Sequence, residues 1–258
     1  MTAIGLGLAM PFVAMMGRQS SPVSILGSSL IAWWTADRAD LITLNSTAVT
    51  SWKDVVAGYD AVQSVSAARP LYSATSFNGA PGLTFDGVDD ELTCTSAGLL
   101  SALPDGAEAA EAWAITQQNA LVADTGAKIM VSWGGAASTS RRGLERIVTT
   151  GVNRSRVTTG DGGSTISLSG SSVDLSSRHV MRARWSATDH TIATDGGAGT
   201  SGAVVPATTA SRLRIGSISN TSPGNFWFGP CRDLLITGAL SAQQITDLQA
   251  WALPRRNL

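Results

Sequence analysis

The stretch 179-HVMRARWSATDHTIATDGG-197 decides how this chain is read. Successive side chains of a strand point to opposite faces, so Val180, Arg182 and Arg184 share one side and His179, Met181, Ala183 and Trp185 the other. A polar turn then leads into 190-HTIAT-194, which stops at Asp195-Gly196. Two short alternating runs around such a turn predict an antiparallel hairpin, buried on one side. His179 and His190 fall at opposite ends of it and read as strand residues.

The same pattern recurs along the chain. Strand signals occur at 30-LIAWW-34, 82-GLTF-85, 111-EAWAITQ-117, 127-AKIMVSW-133, 144-LERIVTT-150, 211-SRLRIG-216 and 232-RDLLIT-237. Between them lie turn clusters such as 160-GDGGS-164 and 219-SNTSPGN-225. No long helical pattern separates the strands, which excludes alternating βαβ units. The one persuasive helix comes last, in 240-LSAQQITDLQAWALP-254. Ser241 and Gln244 form a capping box, Ile245, Leu248 and Trp251 or Ala252 make an apolar stripe, and Pro254 is expected to end it. The reading is an all-β antiparallel jelly-roll sandwich over residues 28–258, with one C-terminal amphipathic helix lying across it.

Composition fits that class. Of 258 residues, 43% are hydrophobic and only 14% charged, and the net charge is −1. No broad basic field therefore recruits nucleic acid or anionic lipid. Arg141-Arg142 and Arg255-Arg256 are local basic pairs, expected at solvated tips, and 134-GGAASTSRRG-143 is expected to be a long tip. Cys94 and Cys231, the two cysteines, do not make a disulfide framework. Both lie on or beside strand-like runs and read as buried free thiols, with a single bridge left open.

Residues 1–27 read as an apolar arm and polar hinge. The run 2-TAIGLGLAMPFVAMM-16 has no basic residue before it, contains Pro11 and is too short to span a bilayer. Ile4, Leu6, Leu8, Phe12, Val13 and Met15 are expected to be buried by a neighbouring subunit. Low charge and this arm suggest an oligomeric part of a larger assembly.

The chemically loaded segment is 82-GLTFDGVDDELTC-94. Asp-Gly supplies the positive-φ position of a tight turn, and the Asp86 carboxylate can accept backbone N–H groups across it, with Phe85 and Leu92 entering the core. Asp86, Asp89 and Asp90 could instead cradle Ca²⁺, since turn carbonyls can complete a six-to-eight oxygen shell, although no Asp-x-Asp-x-Asp-Gly loop is present. A catalytic role for these acids is the third option. The four glutamates are Glu91, Glu108, Glu111 and Glu145. Glu108 and Glu111 read as a solvated edge. No P-loop, His-Glu-x-x-His or Cys-His-Asp constellation occurs. Of the eight tryptophans, five or six are expected in the core. Trp33 and Trp34, adjacent on a strand, must face opposite ways.

Four segments in order resemble the concanavalin A-like lectin/glucanase superfamily, especially its laminin-G-like jelly-roll domains found in bacterial secreted and phage structural proteins. They are 31-IAWWTADRAD-40 running on to 51-SWKDVVAGYDAVQ-63, then 78-NGAPGLTFDGVDDELT-93, the hairpin 179–197, and 225-NFWFGPCRDLLITGALSAQQITDL-248. The resemblance spans about residues 28–253 and implies a lectin-like sandwich. Glucanases of this fold carry Glu-x-Asp-x-(x)-Glu on one strand, which is missing here, so the expectation is a non-enzyme. By analogy with lectin sites, Trp227 would offer an aromatic platform to a sugar, with Asn225, Asp161 and Asp195 gathered on loops at the same end. The resulting expectation is a virion protein of a phage or phage-like particle: a head decoration, tail fibre or tail-associated subunit. It would use residues 1–27 to reach other subunits and its sandwich for adhesion to host surface polysaccharide. A secreted carbohydrate-binding lectin and a glycan-cleaving enzyme are the alternatives. No cofactor is expected apart from the candidate Ca²⁺.

Overall fold

The computed structural model describes residues 20–119, 126–137, 139–149, 152–174, 177–203 and 209–257. The assembly-arm residues Ile4, Leu6, Leu8, Phe12, Val13 and Met15 lie outside them.

Two antiparallel layers face each other. In the first, β17 (Phe228–Thr237) is the spine. On one side it pairs with β8 (Ala110–Gln117), which continues to β13 (Arg178–Trp185), β14 (Asp189–Thr194) and β15 (Thr200–Ala203). On the other side its two halves pair with β1 (Leu30–Thr35) and β6 (Ala80–Asp86), and β6 with β5 (Leu71–Phe77). The second layer runs β7 (Leu92–Cys94), β16 (Arg212–Ile215), β9 (Ala127–Gly134), β10 (Arg141–Thr149), β11 (Val152–Gly160) and β12 (Thr165–Ser172). The short strands β2 (Ile42–Asn45), β3 (Ala48–Lys53) and β4 (Asp60–Val62) bridge the layers at one edge, through β5 and β7. The sheet is thus nearly closed, and the expected all-β sandwich is what the chain forms.

Alternation along each strand splits the interior in two. Met181, Ala183 and Trp185 enter the main core between the layers, with Ala112, Ala114, Leu234, Ile236, Trp34, Trp52 and Trp133. Val180, on the other face, joins Trp113, Ile115 and Leu235 in a second core. That core is roofed by α1 (Pro22–Leu26) and α3 (Ala242–Arg255), which contribute Leu26, Leu248 and Ala252. Trp33, facing away from Trp34, meets Trp251 of α3 edge to face at 5.8 Å between ring centroids. Its indole N–H donates to Asp233 at 3.1 Å. Cys94 and Cys231 are free thiols buried in the main core.

Several expectations needed correction. The polar hinge expected within residues 1–27 gives way at Pro22 to a one-turn helix, because Ser21 and Ser24 form a second capping box. Pro254 lies inside the last turn of α3, which ends at Arg255. β9 runs to Gly134 and β10 starts at Arg141, paired directly with it, so the 134–143 tip contracts to a short connection. The basic pairs are not solvated tips. Arg142 is 1% exposed, donates to the carbonyls of Gly106 and Glu108, and lies over the Trp185 ring. Burial pulls its pKa down to about 10. Glu111 is no solvated edge either: it is buried, accepting from Trp113 and from both ends of the Arg182 fork.

Gly216 joins β16 to the segment packed behind Phe85. Its φ is +89°, and an added Cβ would stand 2.6 Å from the Phe85 ring and 3.0 Å from the Asp90 carbonyl. Gly216→Ala is therefore expected to cost about 1–3 kcal/mol in chemical denaturation. An unchanged midpoint would show that Phe85 can give way.

Candidate functional site

The site begins where the β13–β14 hairpin opens. After β14 the chain turns at Asp195, φ +56°, and Gly196, φ +75°. The turn holds the Asp195 carboxylate under β13, where it accepts from the Val180 amide at 2.9 Å. The same carboxylate faces His179 Nδ1 at 2.7 Å and pairs with Arg256, the C-cap of α3. His179 Nε2 lies 2.8 Å from the Asp174 carbonyl. A carbonyl oxygen only accepts, and so does an ionised carboxylate. Both ring nitrogens must therefore carry hydrogen for both bonds to form, which is the imidazolium. Burial works against that charge, but Asp195 outweighs it and raises the pKa of His179. Against the same burial, His179, the Val180 amide and Arg256 hold the Asp195 carboxyl below its usual range.

These groups line an open groove of about 300 Å³, completed by Ser177, Arg178 and Asn257. Arg178 lies over the Phe77 ring, 5.8 Å from its centroid. Its Nε is buried without a hydrogen-bond partner, and the guanidinium forms no ion pair among the described residues. Among the described residues the groove thus carries Arg178, His179 and Arg256 as cations against one anion, Asp195. A larger hollow, about 490 Å³, runs between α1 and α3 but offers a single charged lining residue, Asp247.

NMR titration is expected to place His179 above the ordinary value of 6.5, and Asp195→Asn should bring it down. A wild-type value at or below the ordinary one would dissolve the imidazolium assignment. The sign for stability follows: the His179 contribution is complete at low pH and is lost as pH rises through its raised folded value. The Asp195 contribution is lost as pH falls through its lowered one.

Of the residues expected to bind sugar, only Asp195 lies in this groove. Trp227 is 1% exposed and packs into the main core, so it presents no ring face to a ligand. The alternation that places Phe228 outward turns Trp227 in. Asp161 caps the β11–β12 turn, accepting from the Gly163 and Ser164 amides, which lower its pKa. Asn225 sits in a positive-φ turn whose carbonyl accepts from Ile129. No hydrogen bond or ion pair among the described residues joins any two of Asp161, Asn225 and Asp195.

The acidic turn is built as a turn. Asp86 Oδ1 accepts from the amides of Val88, Asp89 and Asp90, at 2.8, 3.2 and 3.4 Å, and Asp90 Oδ2 accepts from the Asp86 amide at 2.9 Å. One carboxylate oxygen from each of Asp86, Asp89 and Asp90 nevertheless falls within 4.8 Å of the others. A hard cation such as Ca²⁺ fits this donor set in kind, with oxygens that the turn leaves free. Burial, reinforced by Asp86 and Asp89, pushes the Asp90 pKa up to about 7.

Two further acids face away from the core on the second layer. Glu145 accepts from Arg141 and Arg156, and Glu91 from Arg214 and Ser217. Both carboxylates are thus already committed to arginine. In the sequence Glu91 and Glu145 showed no shared pattern, because Glu91 lies just before β7 and Glu145 on β10.

No protein-family model and no curated protein matches this chain. Solved structures do. The CBM40 domain of the Ruminococcus gnavus IT-sialidase, bound to α2,3 sialyllactose, superposes with a TM-score of 0.53 at 10% identity, covering 66% of this chain and 96% of that one. An arabinofuranosidase complexed with arabinofuranosyl-α-1,2-xylobiose gives 0.63 at 12%, over 91% of this chain and 65% of that one. The binding domain of botulinum neurotoxin serotype G gives 0.58 at 13%, over 86% and 50%. At these identities the likeness concerns the fold: a β-sandwich of the kind found in carbohydrate-binding and sialidase-type domains.

Proposed function

We propose that this chain is a non-enzymatic carbohydrate-binding sandwich, and that a glycan seats in the groove between the opening of the β13–β14 hairpin and the end of α3. The observation that carries the reading is the groove itself. Asp195, His179 and Arg256 are held by bonds to backbone and to each other before any ligand arrives, which limits the ordering cost of binding. Among its described lining residues the one carboxylate is Asp195, kept below its usual range. Glycoside hydrolysis needs two, roughly 5–9.5 Å apart, one of them with a raised pKa. Sugar binding without cleavage is what such a lining supports.

A glycan array is the direct test. Binding that Asp195→Asn or Arg256→Ala weakens is the expected result; silence across host surface polysaccharides would remove the sugar-binding reading. Release of reducing sugar from any bound glycan would replace it with the enzyme alternative.

The finer proposal is a virion context, a decoration, fibre or tail-associated subunit that docks through residues 1–27. Its support is the low charge and the apolar run 2–16. Deleting residues 1–19, ahead of the capped helix α1, is expected to leave a folded protein that no longer joins its particle, and continued incorporation would refute the docking role. A secreted lectin, the alternative, predicts a mature mass corresponding to cleavage near residues 16–21. Ca²⁺ at Asp86, Asp89 and Asp90 is part of the same proposal, tested by calorimetric titration of the metal-stripped protein against Asp89→Asn.

A further inference from the structure

Resting on the carbohydrate-binding reading, we infer that the groove is specific for acidic sugars, and that Arg178 is the residue that receives their carboxylate or sulfate. Three cations and one anion line it, and two of the cations, His179 and Arg256, are already turned on that anion, Asp195. Arg178 is left over. Its guanidinium lies over Phe77, and its Nε is removed from water without a partner. A buried unsatisfied donor costs free energy that a ligand acceptor can recover. A guanidinium presents a planar fork that matches the two oxygens of a carboxylate or sulfate, so one group can satisfy both its charge and its donors. A neutral hydroxyl supplies one acceptor and no charge. The Asn257 side chain, and the Ser177 hydroxyl as an acceptor while it donates to Asp174, face the uncharged hydroxyls of the same sugar. At about 300 Å³ the groove stands at the lower end of small-molecule sites, which suits one terminal sugar rather than an internal stretch of polysaccharide.

The experiment compares glycans ending in sialic acid, a uronic acid or a sulfated sugar with their neutral counterparts, on an array and by calorimetry. Inorganic phosphate serves as a plain-anion control. Wild type, Arg178→Ala and Arg178→Lys are measured side by side. Because Arg178 forms no ion pair among the described residues, the lysine variant, which keeps a cationic stem over Phe77, should keep its unfolding midpoint, and the alanine variant, losing only that ring contact, should still unfold cooperatively; together they certify the fold. The expected result is selective binding of acidic termini, weakened at least tenfold by Arg178→Ala, less by Arg178→Lys, and progressively by salt. Equal binding of neutral sugars, or acidic binding indifferent to Arg178, would overturn the specificity while leaving a sugar-binding protein. Phosphate competing as well as the sugars do would reduce the groove to a general anion site and also overturn it. Silence towards every glycan would take the underlying reading down as well.

Discussion

Replacing Arg255 with alanine is expected to destabilise the fold by about 3–5 kcal/mol, the range for removing one partner of a buried ion pair. Asp233 is fully buried in β17, and Arg255, from the last turn of α3, reaches it through Nε at 3.1 Å and Nη2 at 2.9 Å. The same guanidinium pairs with Asp37 and lies over the Trp251 ring, 4.6 Å from its centroid. Burial raises the Asp233 carboxyl even with this cation beside it. Burial also works against the charge on Arg255, yet Asp233 and Asp37 hold it above its ordinary range. The two directions pull apart, and geometry decides in favour of a charged pair, since Arg255 cannot give up its proton near neutrality. Without it, Asp233 keeps, among the described residues, Trp33, Thr35 and the longer reach of Arg232. The helix also loses its fastening over Trp113 and Leu235. Urea unfolding of R255A, with R255A/D233N as the second variant, measures this. Recovery in the double variant is expected, because it removes the stranded charge. A loss below about 1 kcal/mol in R255A would mean that the pair barely outweighs its desolvation.

The second large effect concerns pH. Asp90 is 4% exposed, and its folded pKa of about 7 stands above the 3.8 of a free aspartate. Between those values the folded state holds a proton that the unfolded state has released. Stability is therefore expected to fall as pH rises from about 4 to about 7, and to level off beyond. The ceiling is about 4 kcal/mol, at 1.36 kcal/mol per pKa unit, and relaxation around the turn should bring it nearer 2. Asp90→Asn keeps an oxygen for the Asp86 amide and carries no charge. In metal-free buffer it should flatten this slope and exceed wild type at pH 8. A wild-type curve that climbs over the same interval would show that Asp90 ionises normally.

Much of the architecture was legible because strands announce themselves by period. The alternation in 179–185 assigned Met181, Ala183 and Trp185 to one core and Val180 to another, and the pair Trp33-Trp34 had to divide between them. The Ser241–Gln244 capping box likewise marked the start of α3. Strands such as β5, β11 and β12 escaped notice because Ser, Thr and Gly there blur the contrast that alternation depends on. The site was less legible. Asp195 and Arg178 were visible on one hairpin, but Arg256 and Asn257 meet them only through the packing of α3. Nothing local distinguishes an arginine that will be buried against Trp185, like Arg142, from one that will stay in solvent. Trp227 misled for a related reason: a loop-flanked aromatic can still be rotated inward by the first residues of the strand that follows.

The position of β17 has a consequence for biogenesis. It is the strand on which β1, β6 and β8 all depend, and every residue after Phe228 is buried. Its partners are synthesised more than a hundred residues earlier, so each must wait with an unpaired edge while the ribosome completes the chain. A nascent polypeptide halted before residue 228 can pair β8 with β13 and β5 with β6 but cannot join these pieces into one layer, and should depend on chaperones until the final strand is released.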